Sequence, residues 1–210
     1  MSENSRDFIE PTYLDIIEAN TRISQASTFT PLLENHVLNE ITGGRILLKA
    51  ENLQRTGSFK FRGAYNFLSQ LNAEERTKGV VAYSSGNHAQ GVAAAANLLS
   101  IKSTIVMPSD SPKIKLNNTR MLGANIITYN RYTEDREEIA NQHVISTGAV
   151  LVPPYDHPWT IAGQGTVGLE IASQTENMGI IPDAILVCCG GGGLTAGIST
   201  VFAEVLPSTQ

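Results

Sequence analysis

Cysteine and long apolar runs are both scarce in this sequence. Cys188 and Cys189 are the only cysteines among 210 residues, and because neighbouring cysteines rarely pair, no disulfide framework is expected. We interpret both as small buried residues at the end of a strand. Their scarcity fits a reducing, cytosolic location. The apolar runs are short and interrupted by glycine, which argues against a membrane-spanning helix.

Basic residues are also few, with 15 Lys and Arg against 20 Asp and Glu and a formal net charge of −5. No basic run is present, which argues against nucleic-acid binding. Charged residues occur throughout the first twenty positions, at Glu3, Arg6, Asp7, Glu10, Asp15 and Glu18. No apolar stretch there could form a signal peptide. Hydrophobic residues make up 41% of the chain, which is enough for a packed core.

Short apolar runs alternate with helical patterns along the chain. The predicted strands are 45–50, 80–83, 103–107, 125–129, 149–152 and 184–189. The predicted helices are 12–26, 32–41, 58–71, 89–99, 111–122, 133–147, 160–176 and 194–205. Alternating strands and helices with short connections predict an α/β fold with a doubly wound parallel sheet. No metal site is predicted.

The segment around Lys60 connects a predicted strand to a predicted helix. Thr56 and Gly57 interrupt the pattern between the two, and Ser58 is placed to cap the helix. Lys60 would then lie in the first helical turn, where the positive end of the helix dipole disfavours an ammonium group. A neutral lysine amine is what imine chemistry with a carbonyl cofactor needs. The alternative is a solvated surface lysine near a helix start.

Two other segments place polar or glycine-rich turns directly after strands. Ser84–Gly91 follows the strand 80–83, and Gly190–Leu194 follows the strand 184–189. Consecutive glycines let backbone N–H groups surround an anion, and the helix that follows offers its positive end. We therefore predict a phosphate site at the glycine run. A dinucleotide would also suit such a turn, but the spacing does not match the dinucleotide fingerprint well.

Taken together, the three segments resemble the tryptophan-synthase-β-like, fold type II family of pyridoxal-phosphate (PLP) enzymes. Within that family they are similar to the serine/threonine dehydratases and serine racemases. The resemblance extends from about Thr30 to Gly197. It implies two doubly wound parallel-sheet domains, a smaller one at 53–147 inserted into a larger one formed by 1–52 and 148–210. It also implies that the C-terminal part of the larger domain is absent from this chain.

The resemblance further implies PLP as the cofactor and a set of residues that hold it. Lys60 would bind PLP and take the Cα proton of the substrate, and Asn87 would bond the phenolic oxygen of PLP. The cofactor phosphate would be held by Gly190, Gly191, Gly192, Gly193 and Leu194. Asn87 could alternatively cap the helix that follows it.

The same resemblance assigns residues to the substrate. Ser84, His88 and Arg136 match substrate-binding positions, and Ser85 matches a second acid–base residue on the face of the cofactor opposite the lysine. Each has a structural alternative. Ser85 could cap a helix, His88 could be a structural hydrogen-bonding residue, and Arg136 could form a helix-surface salt bridge.

The implied activity is elimination of water from serine or threonine, giving a 2-oxo acid and ammonia, with serine racemisation as a further activity if Ser85 transfers a proton. The segment Ser58–Gly63 matches the dehydratases and argues against a cysteine-synthase-like replacement reaction. Two alternatives stay open: a 3-hydroxyaspartate dehydratase, which Tyr155–Pro158 also resembles, and a non-catalytic, truncated PLP-binding fragment. A full-length relative is expected to be a cytoplasmic homodimer.

Overall fold

The computed structural model describes residues 9–210. Glu3, Arg6 and Asp7, on which part of the signal-peptide argument depends, lie outside the described residues. The helices are α1 (Tyr13–Ile23), α2 (His36–Thr42), α3 (Lys60–Ser69), α4 (Ala73–Lys78), α5 (Asn87–Leu98), α6 (Lys113–Met121), α7 (Arg136–Thr147), α8 (Pro158–Asn177) and α9 (Gly193–Val205). The strands are β1 (Leu32–Glu34), β2 (Leu47–Lys49), β3 (Val80–Tyr83), β4 (Ser103–Pro108), β5 (Asn125–Tyr129) and β6 (Val150–Leu151).

Four of these strands form a parallel sheet in the order β5-β4-β3-β6. In its register Val80 faces Ser103 on one side and Val150 on the other. All six residues of β4 are buried, as expected for a parallel strand covered on both faces. The predicted α/β class with a parallel sheet is therefore confirmed.

Small residues allow the helices to pack closely on this sheet and on one another. The alanines of α5 are buried with Phe61 and Leu68 of α3 in the main hydrophobic cluster. Helices α3 and α8 cross where Gly63 meets Gly163, and a Cβ atom built on Gly163 would lie 2.6 Å from the Cα of Gly63. The start of α3 is thus held between α5 and α8. No helix among residues 9–210 is both long and apolar enough to cross a lipid bilayer.

The helix predicted at 32–41 is wrong in its first half. Residues Leu32–Glu34 form β1, which pairs antiparallel with β2. Helix α2 begins only after Asn35, whose side-chain oxygen accepts a 2.9 Å hydrogen bond from the N–H of Leu38. Pairing with β2 satisfies the backbone of β1, and the Asn35 cap marks where the helix can start.

The strand predicted at 184–189 is absent among the described residues. Its backbone has no neighbouring strand there, and only Ile185 is tied to another segment, through a 2.7 Å hydrogen bond from its N–H to the carbonyl of Gln210. A strand requires a partner for its backbone groups. Cys188 and Cys189 are consequently exposed, so the prediction that both are buried is wrong.

The division into two domains stays a prediction. The parallel sheet is built mainly from the central segment, since β3, β4 and β5 all lie within 53–147. Strand β6 pairs with β3, so the sheet also includes residues just beyond 147. Helices α8 and α9 pack with α1 around a separate hydrophobic cluster that includes Ile16, Val167 and Val201.

Candidate active site

Lys60 is the first residue of α3, so it lies in the first helical turn as predicted. The chain reaches it through a tight turn in which Thr56 and Gly57 have φ values of 65° and 75°. The predicted cap at Ser58 is wrong. Phe59 is the N-cap residue, and no side chain caps the helix. The Ser58 hydroxyl is instead buried and has no hydrogen-bond partner among the described residues.

The Lys60 amine is partly buried between the start of α3 and the segment that follows β6. Its Nζ donates a 2.6 Å hydrogen bond to the carbonyl of Pro154, and it lies 5.9 Å from the ring centroid of Tyr155. Burial lowers the pKa of Lys60, because removing water disfavours the ammonium form. The amine therefore loses its proton more readily than an exposed lysine would.

Helix α5 fixes the backbone of Lys60 from the other side. Gly91 of α5 lies against it, and a Cβ atom at this glycine would be 3.1 Å from the carbonyl carbon of Lys60 and from the nitrogen of Phe61. The two helices can approach this closely only because residue 91 has no side chain. As a result, the start of α5, with Asn87 and His88, lies beside Lys60.

His88 is buried at the start of α5, and its Nε2 atom lies 3.0 Å from the carbonyl oxygen of Val152. The pKa of His88 is lowered to about 4, mainly by burial and to a smaller extent by the nearby charge of Lys60, while the bond to Val152 opposes both. The ring is therefore neutral near pH 7, with Nε2–H donating to the carbonyl. This hydrogen bond supports the structural alternative for His88, while a role in substrate binding stays a prediction.

A cavity of about 410 Å³ opens where β3 ends and α5 begins. The predicted site residues that line it are Lys60, Ser84, Ser85, Asn87, His88 and Arg136. The cavity is also lined by Lys115, so it has three lysine and arginine side chains in its lining and no Asp or Glu. The start of α5 carries no side-chain cap either. The arrangement is suited to negatively charged groups.

The glycine segment Gly190–Leu194 does not line this cavity. It leads into α9, whose N-cap residue is Gly192 with a φ of 88°. The ring of Tyr155 lies directly on Gly191, so that a Cβ atom at this glycine would overlap the ring. Tyr155 also lines the cavity, so this residue contacts both the cavity and the glycine segment.

Several lining residues were missed from the sequence: Tyr83, Lys115, Pro154 and Tyr155. Lys115 had a detectable signal, because the first turn of α6 contains two lysines, Lys113 and Lys115, and no acidic residue, the opposite of the usual preference at a helix start. Tyr83 directly precedes Ser84, and Tyr155 begins the segment that resembles the 3-hydroxyaspartate dehydratases, but neither was assigned to the site. Pro154 had no signal, since only folding brings the segment after β6 next to Lys60.

The alternative that Arg136 forms a helix-surface salt bridge is weakly supported. Its Nη2 atom lies 3.9 Å from Glu137 Oε1, at the limit of an ion pair. Its guanidinium lies 5.3 Å from the ring centroid of Tyr83. This contact holds the guanidinium at the cavity and leaves its N–H donors available.

The sequence of this chain is similar to a known protein family and to several known proteins. The family model described as pyridoxal-phosphate dependent enzyme matches residues 23–210. The chain is 48% identical over 202 residues to L-threo-3-hydroxyaspartate ammonia-lyase of Saccharomyces cerevisiae, covering 96% of this chain and 61% of that protein. It is 41% identical over 210 residues to serine racemase of Schizosaccharomyces pombe, covering 100% of this chain and 63% of that protein.

Among solved structures, maize serine racemase superimposes with a TM-score of 0.90 at 38% sequence identity. The match covers 95% of this chain and 60% of the maize chain. The chain thus spans about three fifths of the length of the relatives that it matches.

Proposed function

The chain belongs to the pyridoxal-phosphate dependent enzymes, and on that premise we propose that the whole protein eliminates water from a hydroxy amino acid, giving a 2-oxo acid and ammonia. The candidate substrates are serine, threonine and 3-hydroxyaspartate. The observation that carries the proposal is the Lys60 amine, whose pKa is lowered by burial, in a cavity shared with the uncapped start of α5.

Three features of the described residues fit PLP. Burial lowers the pKa of the Lys60 amine, which favours the neutral form that bonds to a carbonyl group. A Cβ atom at Gly190 or at Gly192 would meet nothing within 4 Å, so open space adjoins the backbone of the glycine segment. The buried hydroxyls of Ser58 and Thr195 have no partner among residues 9–210, and these residues lie beside Lys60 and in the first turn of α9. A polar atom buried without a partner requires an explanation, and a bound group that it contacts is one.

Under this proposal, Lys60, Asn87 and Gly190–Leu194 hold PLP. When bound, PLP supplies an electron-accepting ring that makes the Cα proton of an amino acid acidic. Lys60 accepts this proton at Nζ, because its lowered pKa keeps part of the amine neutral. The free N–H groups at the start of α5 bind the substrate carboxylate. His88 keeps the segment Val152–Pro154 in position through its hydrogen bond.

The role of Lys60 can be tested on the full-length protein loaded with PLP. Borohydride reduction followed by peptide mapping should place the label on Lys60. Lys60→Ala should lower ammonia release from all three candidate substrates by at least about 100-fold, the usual scale for losing a general base. The matched control is Lys78→Ala, which removes a surface lysine that pairs with Glu74 and should leave the rate within about twofold.

The outcomes of that experiment separate the alternatives. A label mainly on another lysine would show that Lys60 is not the attachment point. Labelling of Lys60 without ammonia release from any substrate would favour the non-catalytic PLP-binding alternative. Ammonia release that persists in Lys60→Ala would contradict the proposed mechanism.

Serine racemisation is a second candidate activity, because Ser85 lines the same cavity as Lys60. Its hydroxyl could return a proton to Cα from a direction different from that of the lysine. In the full-length enzyme, Ser85→Ala should lower D-serine formation by about 100-fold or more and lower pyruvate formation from L-serine far less. Chiral chromatography and a pyruvate assay measure both. Equal losses, or D-serine formation that persists in the variant, would contradict this role.

We also propose a cytoplasmic homodimer for the whole protein. Free thiols at Cys188 and Cys189 fit a reducing compartment.

The dimer is supported by helix α2. This helix buries none of its residues, and Val37 and Ile41 on it are exposed, which supports a contact with another protein surface. Light scattering of the full-length protein should give the mass of a dimer, and a monomer at micromolar concentration would contradict the proposal.

A further inference from the structure

Two basic residues in the cavity have no role in the mechanism above. Lys115 lies in the first turn of α6, and Arg136 is the first residue of α7. These helices follow β4 and β5, which lie on one side of β3 in the order β5-β4-β3 of the parallel sheet. Both side chains line the same cavity as Lys60 and the start of α5. A Cβ atom on Gly86, at that start, would lie 3.9 Å from the Lys115 Nζ atom.

Neither charge is neutralised within the described chain. Lys115 makes no salt bridge among residues 9–210, and Arg136 reaches only Glu137, at 3.9 Å. The neighbouring surface shows the contrast, because Arg131 on the loop after β5 is paired with Asp110 at 2.7 Å. Both cavity charges also lie at the positive ends of helix dipoles, which disfavours a cation. In α6 no acidic residue of the first turn offsets this effect, whereas Glu137 and Glu138 lie in the first turn of α7.

Two cations that line one cavity attract a negatively charged group. The substrate α-carboxylate already has a site in the proposed function, at the uncapped start of α5. The cofactor phosphate has the glycine segment, which is not part of this cavity. The charges of Lys115 and Arg136 are therefore left for a further anionic group, and the substrate is the molecule that reaches this cavity.

We propose that Lys115, together with Arg136, binds a second carboxylate on the substrate, so that the preferred substrate is a 2-amino-3-hydroxy dicarboxylic acid and Lys115 determines specificity. This inference rests on the proposed function and narrows its substrate class. Serine and threonine place no anionic group near the two charges. A dicarboxylic substrate such as 3-hydroxyaspartate would pair with both and would be held at its two ends.

The test uses the full-length, PLP-loaded protein and compares 3-hydroxyaspartate with L-serine. Lys115→Met should lower the ratio of kcat/KM for 3-hydroxyaspartate to kcat/KM for L-serine by about 10- to 100-fold, the range for losing a hydrogen bond to a charged group. Lys115→Arg should keep most of the ratio, because it keeps the charge. Lys113→Met is the matched control: it removes a charge from the same helical turn that does not line the cavity, and the ratio should stay within about twofold.

A binding measurement separates this inference from the reaction itself. Titration calorimetry would compare succinate with butyrate, which has the same number of carbons and only one carboxylate, and with inorganic phosphate. Lys115→Met should weaken succinate binding by about tenfold or more and change butyrate binding much less.

The remaining outcomes each contradict either the second carboxylate site or the proposed function. An unchanged substrate ratio, or equal losses for succinate and butyrate, overturns the second carboxylate site. A loss confined to phosphate also overturns it, because the charges would then serve the cofactor. If the wild type releases no ammonia from any amino acid while succinate binding still depends on Lys115, the proposed function fails and the dicarboxylate site stands.

Discussion

His88 combines complete burial with a hydrogen bond to a distant backbone carbonyl, that of Val152. Its pKa of about 4 in the folded protein lies below the ordinary value of 6.5. Between these values the unfolded chain binds more protons, so stability rises with pH across this window and is lost as the pH falls from about 6.5 towards 4. The shift corresponds to a loss of stability on the order of 3 kcal/mol when the pH falls from above 6.5 to below 4.

We therefore expect His88→Gln to be less stable than the wild type at pH 7.5 and to approach it as the pH falls to 5. Thermal melting of the full-length protein at both values gives the comparison. His143→Gln is the control, because the His143 side chain makes no hydrogen bond among the described residues, and its difference from the wild type should change little with pH. A constant difference between His88→Gln and the wild type would contradict the prediction.

At the scale of elements, the crossing of α3 and α8 determines where Lys60 lies. A Cβ atom on Gly163 would be 2.6 Å from the Cα of Gly63 and 2.8 Å from the carbonyl oxygen of Arg62. Both neighbours are backbone atoms, so the helices themselves must separate to accept it. In a helix interior, Gly→Ala normally stabilises by up to about 1 kcal/mol, but here we expect Gly163→Ala to lower the free energy of unfolding by about 1–3 kcal/mol.

The same substitution should weaken PLP binding, since α3 carries Lys60. Denaturant unfolding and PLP titration of the full-length protein measure the two effects. Gly44→Ala serves as the control, because a Cβ atom there would meet only the Thr42 hydroxyl oxygen, at 3.7 Å. A Gly163→Ala variant that is more stable than the wild type would contradict the prediction, because it would show that the two helices can separate without a loss of stability.

At the scale of the whole molecule, a buried group of charges joins segments that are far apart in the chain. Arg62 is fully buried and donates to Glu170 on α8 at 2.6 Å and to Glu51 at 2.7 Å. Lys49 on β2 donates to Glu170 at 2.6 Å. Glu170→Gln keeps the shape of the side chain but leaves two buried cations without its negative charge. We expect it to lower the free energy of unfolding by about 3–5 kcal/mol.

Urea unfolding of the full-length protein tests this value. Glu176→Gln is the matched control on the same helix, because Glu176 is exposed and its replacement should change stability by less than about 0.5 kcal/mol. A change of similar size in both variants would mean that the buried group contributes no more than surface charge.

The sequence by itself determined the features that depend on neighbouring residues. The buried run of β4, the helical periodicity of α3 and the position of Lys60 in its first turn were all predictable, because helical hydrogen bonds and strand burial patterns repeat within a few residues. The turn from Gly190–Gly193 into α9 was predictable for the same reason. The family resemblance also rests on such local motifs, since each lies within a few residues of a strand end.

Only the tertiary structure decided the features that depend on residues distant in the chain. A strand at 184–189 fails to form among the described residues because strand hydrogen bonds need a neighbouring chain, which an apolar run cannot specify. Lys115 and Arg136 share a cavity because β4 and β5 pair side by side. Tyr155 lies on Gly191 because folding brings together segments on either side of α8. The contacts of the candidate site, and the grouping of its charges in one cavity, thus arise from packing between elements, which local sequence patterns do not encode.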